Sequence, residues 1–245
     1  MQSLRSSEDY IYKHVLNVAI LSAIIAGQMG FPVGRINLLV KSAILHDIGA
    51  LKLQQLPDAE DLDDGTKEVV KKNTQETLDR YGDLDEEVLR LITQMQELYT
   101  RESDAEIPAG LKESVNANIL YVADAYDRMT AMKSFEEPTS EVKAVRELLA
   151  DEERYNKKIV NALIHGISIL YPGVCVELSN GEKGLVITEN EDNIFEPTVL
   201  DFRNNNLYDL SDPSVKQTIE IADVMKTMDN RIKLDKSLLE EYQAN

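Results

Sequence analysis

Positive charge is scarce in this chain. Lys and Arg number 26 against 44 Asp and Glu, giving a formal net charge of −18 over 245 residues. Binding nucleic acid relies on Lys and Arg displacing counterions from the phosphate backbone. The lysine pairs at 71–72 and 157–158 are isolated, so no DNA partner is expected. The same acidity repels a phosphate ligand at long range, and phosphate chemistry here needs a cation to reverse the local field. Cysteine is scarcer still. Cys175 stands alone, which excludes an internal disulfide and fits a reducing compartment, so a cytoplasmic location is expected. No apolar run looks long enough to span a bilayer, because VLNVAILSAIIAGQMGF is interrupted by Asn17, Ser22 and Gln28. No basic segment precedes a short apolar stretch with a cleavage site, so no signal peptide is read. Histidine is also rare: His14, His46 and His165 are the whole set.

Against these absences, 43% of the residues are hydrophobic, enough to bury a core. Residues 8–30 read as one long helix, with Ser6 and Ser7 available as N-caps and Glu8 and Asp9 in the first turn. Ile11, His14, Val18, Leu21 and Ile25 recur at helical spacing. Leu16, Ile20 and Ile24 fill a second face, which predicts burial on most sides. GFPVG at 30–34 is a turn, and a second helix runs from Arg35 to Asp47, with Gly49 expected as a left-handed C-cap. DAEDLDDG at 58–65 reads as a solvated acidic loop. Further helices are predicted at 66–80, 84–98, 111–133, 139–152 and 156–170, with a polar loop over 100–110. After Pro172 the pattern changes. VCVELS, NGEKG and LVITEN read as strand, Asn-Gly turn and strand, and PTVLDF and LYDLS repeat the form. The expected fold is therefore mainly α: a helical domain over 1–170, a small β-barrel-like module over 171–212, and a helical tail over 213–245.

AILHDIGALKL, at 43–53, sets His46 beside Asp47 where an apolar helix finishes. His14 lies on the apolar stripe of the first helix, and Asp124 and Asp127 share a face of the helix over 111–133. Asp124 is embedded in LYVADAY, where an ionised carboxylate is costly unless paired or bound to a metal. Imidazole and carboxylate together suit Zn, Mn or Fe as divalent ions. Two His and one or two Asp from three helices could close on one ion, the basis of metal-assisted hydrolysis. Bland readings exist for each residue. His14 could be a hydrogen-bonded core histidine, His46-Asp47 a polar helix end, and Asp124 a structural partner of Arg128 or Lys133. Tyr10, four residues before His14, either lines the same pocket or packs in the core. His165 reads as structural.

The set His14, His46-Asp47 and Asp124 resembles the H…HD…D signature of the HD superfamily of metal-dependent phosphohydrolases. YIYKHVLNVAILSAIIAGQMGFPVGRINLLVKSAILHDIGA and ILYVADAYDRMTAM are similar to the opening helix pair and a late helix of its HD-GYP branch, whose active members hydrolyse cyclic di-GMP. VCVELSNGEKGLVITEN resembles a β appendage that follows such domains in some bacteria. The resemblance implies His14, His46, Asp47 and Asp124 as metal ligands, and Asp47 or Asp127 as the catalytic base. Departures matter as much. The family's HDIGK lysine is Ala50 here, its next ligand histidine falls on Asn73, and its histidine pair falls on Met95-Gln96. Its GYP loop aligns with Glu106-Ile107-Pro108, and an arginine near the late helix is Asn118. A thioether is a poor partner for hard ions, and Asn73 and Gln96 offer only neutral amides. With Tyr10, these two are read as substrate contacts.

The expectation is therefore a degenerate HD-GYP-type signalling module with one divalent ion and no second one. It would bind cyclic di-GMP or another phosphate-containing small molecule with lost or weak hydrolysis. A working single-metal phosphohydrolase and a structural domain that binds a protein partner or a second copy remain open as alternatives. A sensor or receiver preceding this domain fits the position at which the helix pattern begins.

Overall fold

The structure is a computed structural model and describes residues 7–53, 64–81, 83–100, 107–131, 138–190 and 193–225. Residues 58–63 of the acidic stretch at 58–65, Glu106, Lys133 and residues 226–245 lie outside the described residues, and Asp64 and Gly65, expected in that loop, are helical. The chain divides into two units, Met1–Thr139 with Ala144–Ile167, and Ser140–Lys143 with Ser168–Asn245.

The first unit is helical: α1 (Ser7–Gln28), α2 (Val33–Leu45), a 3-10 turn (Ile48–Lys52), α3 (Asp64–Arg80), α4 (Glu86–Tyr99), α5 (Ala109–Lys112), α6 (Val115–Thr130) and α8 (Lys157–Ile167), with most of α7 (Glu141–Ala150). α1 packs against α2, α6 and α8. Its buried stripe is Ile11, His14, Val18, Ser22 and Ile25, the 3.6-residue period expected of one core-facing side. The expectation of burial on most sides is corrected, since Leu16 and Ile20 are about half exposed, as is Tyr12 on the same side. Three neighbouring helices cover one side of α1 and leave this stripe open. By length and hydropathy, Tyr10–Gln28 does meet the requirement for a bilayer span, a second departure from the sequence reading. Its side packed on three helices is that of a core helix.

α1 stops at Gly30, whose φ of +73° lets the chain turn back so that Phe31 N donates to Ala26 O at 2.9 Å. Gly49 does not play the corresponding role after α2. Its φ is not positive, and it lies inside the 3-10 turn, pressed against α3. A Cβ at Gly49 would fall 2.3 Å from both Thr74 N and Val70 O. This glycine is there for close backbone approach, not for a left-handed cap. α4 is capped by Asp85, which accepts from Glu87 N at 3.0 Å, and buries Val88, Leu91, Ile92, Met95 and Leu98.

The second unit is an all-antiparallel sheet in the order β4-β3-β2-β1-β5: β1 (Cys175–Leu178), β2 (Lys183–Thr188), β3 (Thr198–Asp201), β4 (Leu207–Asp209) and β5 (Ile221–Val224), with α9 (Pro213–Lys216) before β5. The Asn180-Gly181 turn joins β1 to β2, with Gly181 at φ +80°. The barrel-like expectation is corrected: β4 and β5 are opposite edges of an open sheet. The helical tail is corrected too. Within 213–225 only Pro213–Lys216 is helical, and Ile221–Val224 is a strand paired with β1, where alternating apolar residues can bury Ile221.

Asp201, fully buried at the end of β3, uses Oδ1 to accept from Arg203 N at 2.7 Å. Its Oδ2 is buried with no donor among the described residues. Burial, and then the Glu182 carboxylate, raise its pKa against the opposing Arg203 N–H. A raised folded pKa means that its contribution to stability is present in acid and is lost as pH rises through the folded value. Asp201→Asn, which keeps the acceptor for Arg203 and can donate to Glu182, should therefore raise the melting temperature at pH 7 and change it less at pH 4. Equal shifts at both pH values, measured by circular dichroism, would contradict this.

Candidate metal centre

Three elements meet at one buried cluster. α1 carries His14 on its core stripe, the chain leaving α2 presents His46 and Asp47, and α6 carries Asp124, Asp127 and Arg128 at i, i+3 and i+4. His14, His46 and Asp124 are each 1% exposed, so no bulk water offsets the loss of their hydration. Each must be satisfied by its neighbours or by an ion.

The neighbours are close. His14 Nε2 lies 2.9 Å and His46 Nε2 3.3 Å from Asp124 Oδ1. Asp47 Oδ2 is 3.8 Å from the first nitrogen and 3.9 Å from the second. The other ring nitrogens are engaged from behind: His14 Nδ1 with Asp127 Oδ2 at 2.7 Å, and His46 Nδ1 with the Ala43 carbonyl at 2.6 Å. Asp127 uses its remaining oxygen to accept from Asn17 Nδ2 at 2.8 Å. Arg128 closes the other side, donating from Nε to Asp124 Oδ2 at 2.9 Å and from Nη2 to Asp47 Oδ2 at 2.8 Å. Its guanidinium lies 4.6 Å over the Tyr99 ring.

Electrostatics follow from this packing. Burial and then Arg128 disfavour a charge on His14, but hydrogen bonds to Asp124 and Asp127 outweigh them and lift its pKa to about 9. Burial opposes ionisation of Asp124, yet Arg128, His14 and His46 hold its carboxyl well below the usual range. Asp47 is likewise lowered, burial being outweighed by His46, Arg128 and His14. Burial, followed by the balance of Arg128 against the three aspartates, pushes the Tyr10 phenol up to about 12. Tyr10 stacks on His14 with ring centroids 5.8 Å apart.

The donor set fits one divalent ion. A nitrogen or oxygen of each of His14, His46 and Asp124 lies within 4.8 Å of the other two. Ligands about 2.0–2.2 Å from a tetrahedral ion stand roughly 3.4 Å apart, so the existing spacing needs little adjustment. A carboxylate or carbonyl behind each imidazole is the arrangement that fixes a ligating histidine by its second nitrogen.

Asn73 and Gln96 are not part of this group. Gln96 Nε2 donates to the His46 carbonyl at 3.0 Å, and Asn73 Nδ2 sits 3.5 Å from Gly49 O. Both contacts are to the main chain. Met95 is core, 1% exposed, and Ala50 is buried in an apolar cluster with Ile11 and Val70. Asn118 Nδ2 donates to the carbonyls of Leu111 and Ser114, tying α5 to α6. His165 lies on an exposed face of α8 and is not among the clustered donors. Sequence reasoning raised Arg128 only as a structural partner of Asp124. Its spacing four residues after Asp124 was a readable signal, whereas its bond to Asp47, 81 residues away, was not. Asn17 and the Ala43 carbonyl carried no signal.

Residues 11–129 match the family profile described as HD domain. A cyclic di-GMP phosphodiesterase of Pseudomonas aeruginosa is 22% identical over 201 residues, covering 80% of this chain and 49% of that protein. A cyclic di-GMP phosphodiesterase of Borreliella burgdorferi is 24% identical over 225 residues, covering 87% of this chain and 58% of that protein. The chain spans about half the length of the curated relatives it matches.

Proposed function

We propose that this chain, whose residues 11–129 match the HD domain profile and which is similar to two cyclic di-GMP phosphodiesterases, is a signalling module that holds one divalent transition ion and binds a phosphate-containing ligand, with weak or lost hydrolysis. The ion would be Fe, Mn or Zn, held by His14, His46 and Asp124 with Asp47 alongside. Cyclic di-GMP is the ligand of choice, by analogy with the relatives. The observation that carries this reading is the convergence of His14 Nε2, His46 Nε2 and Asp124 Oδ1, with both rings anchored from behind.

When bound, such an ion supplies positive charge for a phosphate ester and acidifies a water for attack on phosphorus. The protein's own groups have distinct parts. Asp127, with both oxygens engaged, orients His14 and holds the proton on its Nδ1. The Ala43 carbonyl fixes His46 in the same way. Asp47 is the carboxylate better placed to act as base, although Arg128 restrains it. Support for weak turnover comes from the apolar burial of Ala50 and Met95 and from the main-chain bonding of Gln96. None of these offers a further ligand or a cationic phosphate contact.

Elemental analysis of the purified chain after reconstitution with Mn²⁺, Fe²⁺ or Zn²⁺, beside calorimetry with cyclic di-GMP, tests the proposal. One ion per chain and nucleotide binding without cleavage are expected. Absence of any bound ion would leave the structural ion-pair reading, which the Arg128 bridge favours. Rapid conversion to linear dinucleotide or GMP would overturn the loss of hydrolysis.

A further inference from the structure

Arg128 is the one feature of the cluster that a metal-binding role does not require. Its guanidinium donates to Asp124 Oδ2 at 2.9 Å and to Asp47 Oδ2 at 2.8 Å. That same Asp47 oxygen is the one 3.8 Å and 3.9 Å from the two imidazole nitrogens. Asp47 thus faces a fixed cation on one side and the histidine pair on the other. The Arg128 side chain is 17% exposed, and the Tyr99 ring lies against it. An arginine stays charged at any working pH, so this positive charge cannot be removed by titration. Two-ion phosphate sites set their cations about 3.5–4 Å apart. A guanidinium hydrogen-bonded to two carboxylates of the cluster is a fixed cation at oxygens a second ion would use. It repels a divalent ion and occupies lone pairs that the ion would use.

We propose that Arg128 is a built-in cation standing in for a second ion at the Asp47–Asp124 carboxylate pair, so that the centre holds a single divalent ion and holds it loosely. The inference rests on the one-ion reading above. Asp124 keeps Oδ1 for the histidine side and gives Oδ2 to the guanidinium, so its two oxygens serve two different cations. Asp47 has one oxygen contested by both. Removing the guanidinium frees two carboxylate oxygens, one of them already near both imidazoles.

The test compares the full chain with Arg128→Gln, which keeps length and a donor but no charge, and Arg128→Lys, which keeps charge but cannot bridge two carboxylates in one plane. Metal stoichiometry, affinity for Mn²⁺ and Zn²⁺ alone, and the melting-temperature shift on adding each ion are measured after chelator treatment. Arg128→Gln is expected to bind at least tenfold more tightly or to take up a second ion, and to gain a larger thermal shift than wild type. Arg128→Lys is expected to stay close to wild type. A glutamine variant that folds only when metal is added supports the inference, since the ion then replaces the missing charge. Unchanged or weaker binding by Arg128→Gln, or failure to fold with and without metal, overturns it. A wild-type chain with one ion and an unresponsive glutamine variant would sink this inference and leave the functional reading standing. A wild type that binds no ion would overturn the one-ion reading and this inference with it.

Discussion

Asp124→Asn is expected to destabilise the helical unit by about 3–5 kcal/mol in metal-free protein at pH 7, the usual cost of removing one member of a buried ion pair. The carboxylate serves three groups at once, the imidazoles of His14 and His46 and the Arg128 guanidinium, and it is 1% exposed. An amide cannot accept from all three, and it presents a donor to at least one. Because the Asp124 pKa lies well below its ordinary value, this stabilisation is present above the unfolded carboxyl pKa of about 4 and is lost as pH falls through the folded value. The difference between wild type and variant should therefore shrink in acid. Denaturant melts of the helical circular dichroism signal at pH 7 and pH 3.5 measure both quantities. A loss under 1 kcal/mol at pH 7 would show that the cluster is not held through Asp124. The Arg128→Met change should couple to it, the double variant costing less than the sum of the singles, as expected for groups in direct contact.

Gly49→Ala should be nearly as damaging, at about 3 kcal/mol, near the top of the range for forced overpacking. The added methyl would meet the backbone of α3 at 2.3 Å on two sides and Thr74 Oγ1 at 2.5 Å. Main-chain atoms of a helix cannot step aside as a flexible side chain can. The Gly49 N–H bond to Thr74 Oγ1 at 3.1 Å is strained by the same shift, and Asp47 lies two residues earlier, so metal affinity should fall along with stability. Gly27→Ala on α1 is the control. Nothing lies within 4 Å of a Cβ there, so the substitution should stabilise by about 0.5–1 kcal/mol through helix propensity. If both variants melt with wild type, the contact between the 3-10 turn and α3 is looser than the geometry states.

The pairing of these two glycines shows what sequence reading reaches. Gly27 and Gly49 each fall in or beside a helix, and only the fold separates a tolerant position from a forbidding one. His14, His46 and Asp124 were legible because each interrupts an apolar helical pattern, where a polar group needs a partner. The spacing of Asp124 and Asp127 likewise put them on one face, although the share of each in the cluster emerges only from the three helices that meet there. The open stripe of Tyr12, Leu16 and Ile20 was illegible, because apolar periodicity says which residues can be buried and not how many neighbours arrive to bury them. β5 was misread for a related reason. Four residues such as Ile221–Val224 satisfy both a helical and an extended pattern, and the free edge of β1 decides between them.

That last pairing leaves one side of β1 dependent on a strand late in the chain. β1 through β4 are joined by hairpins and can zip as they emerge from the ribosome, but the far side of β1 is filled only by β5, with Val176 opposite Val224. Until Ile221–Val224 has emerged, the side of Cys175–Leu178 away from β2 is an edge open to a neighbouring nascent chain.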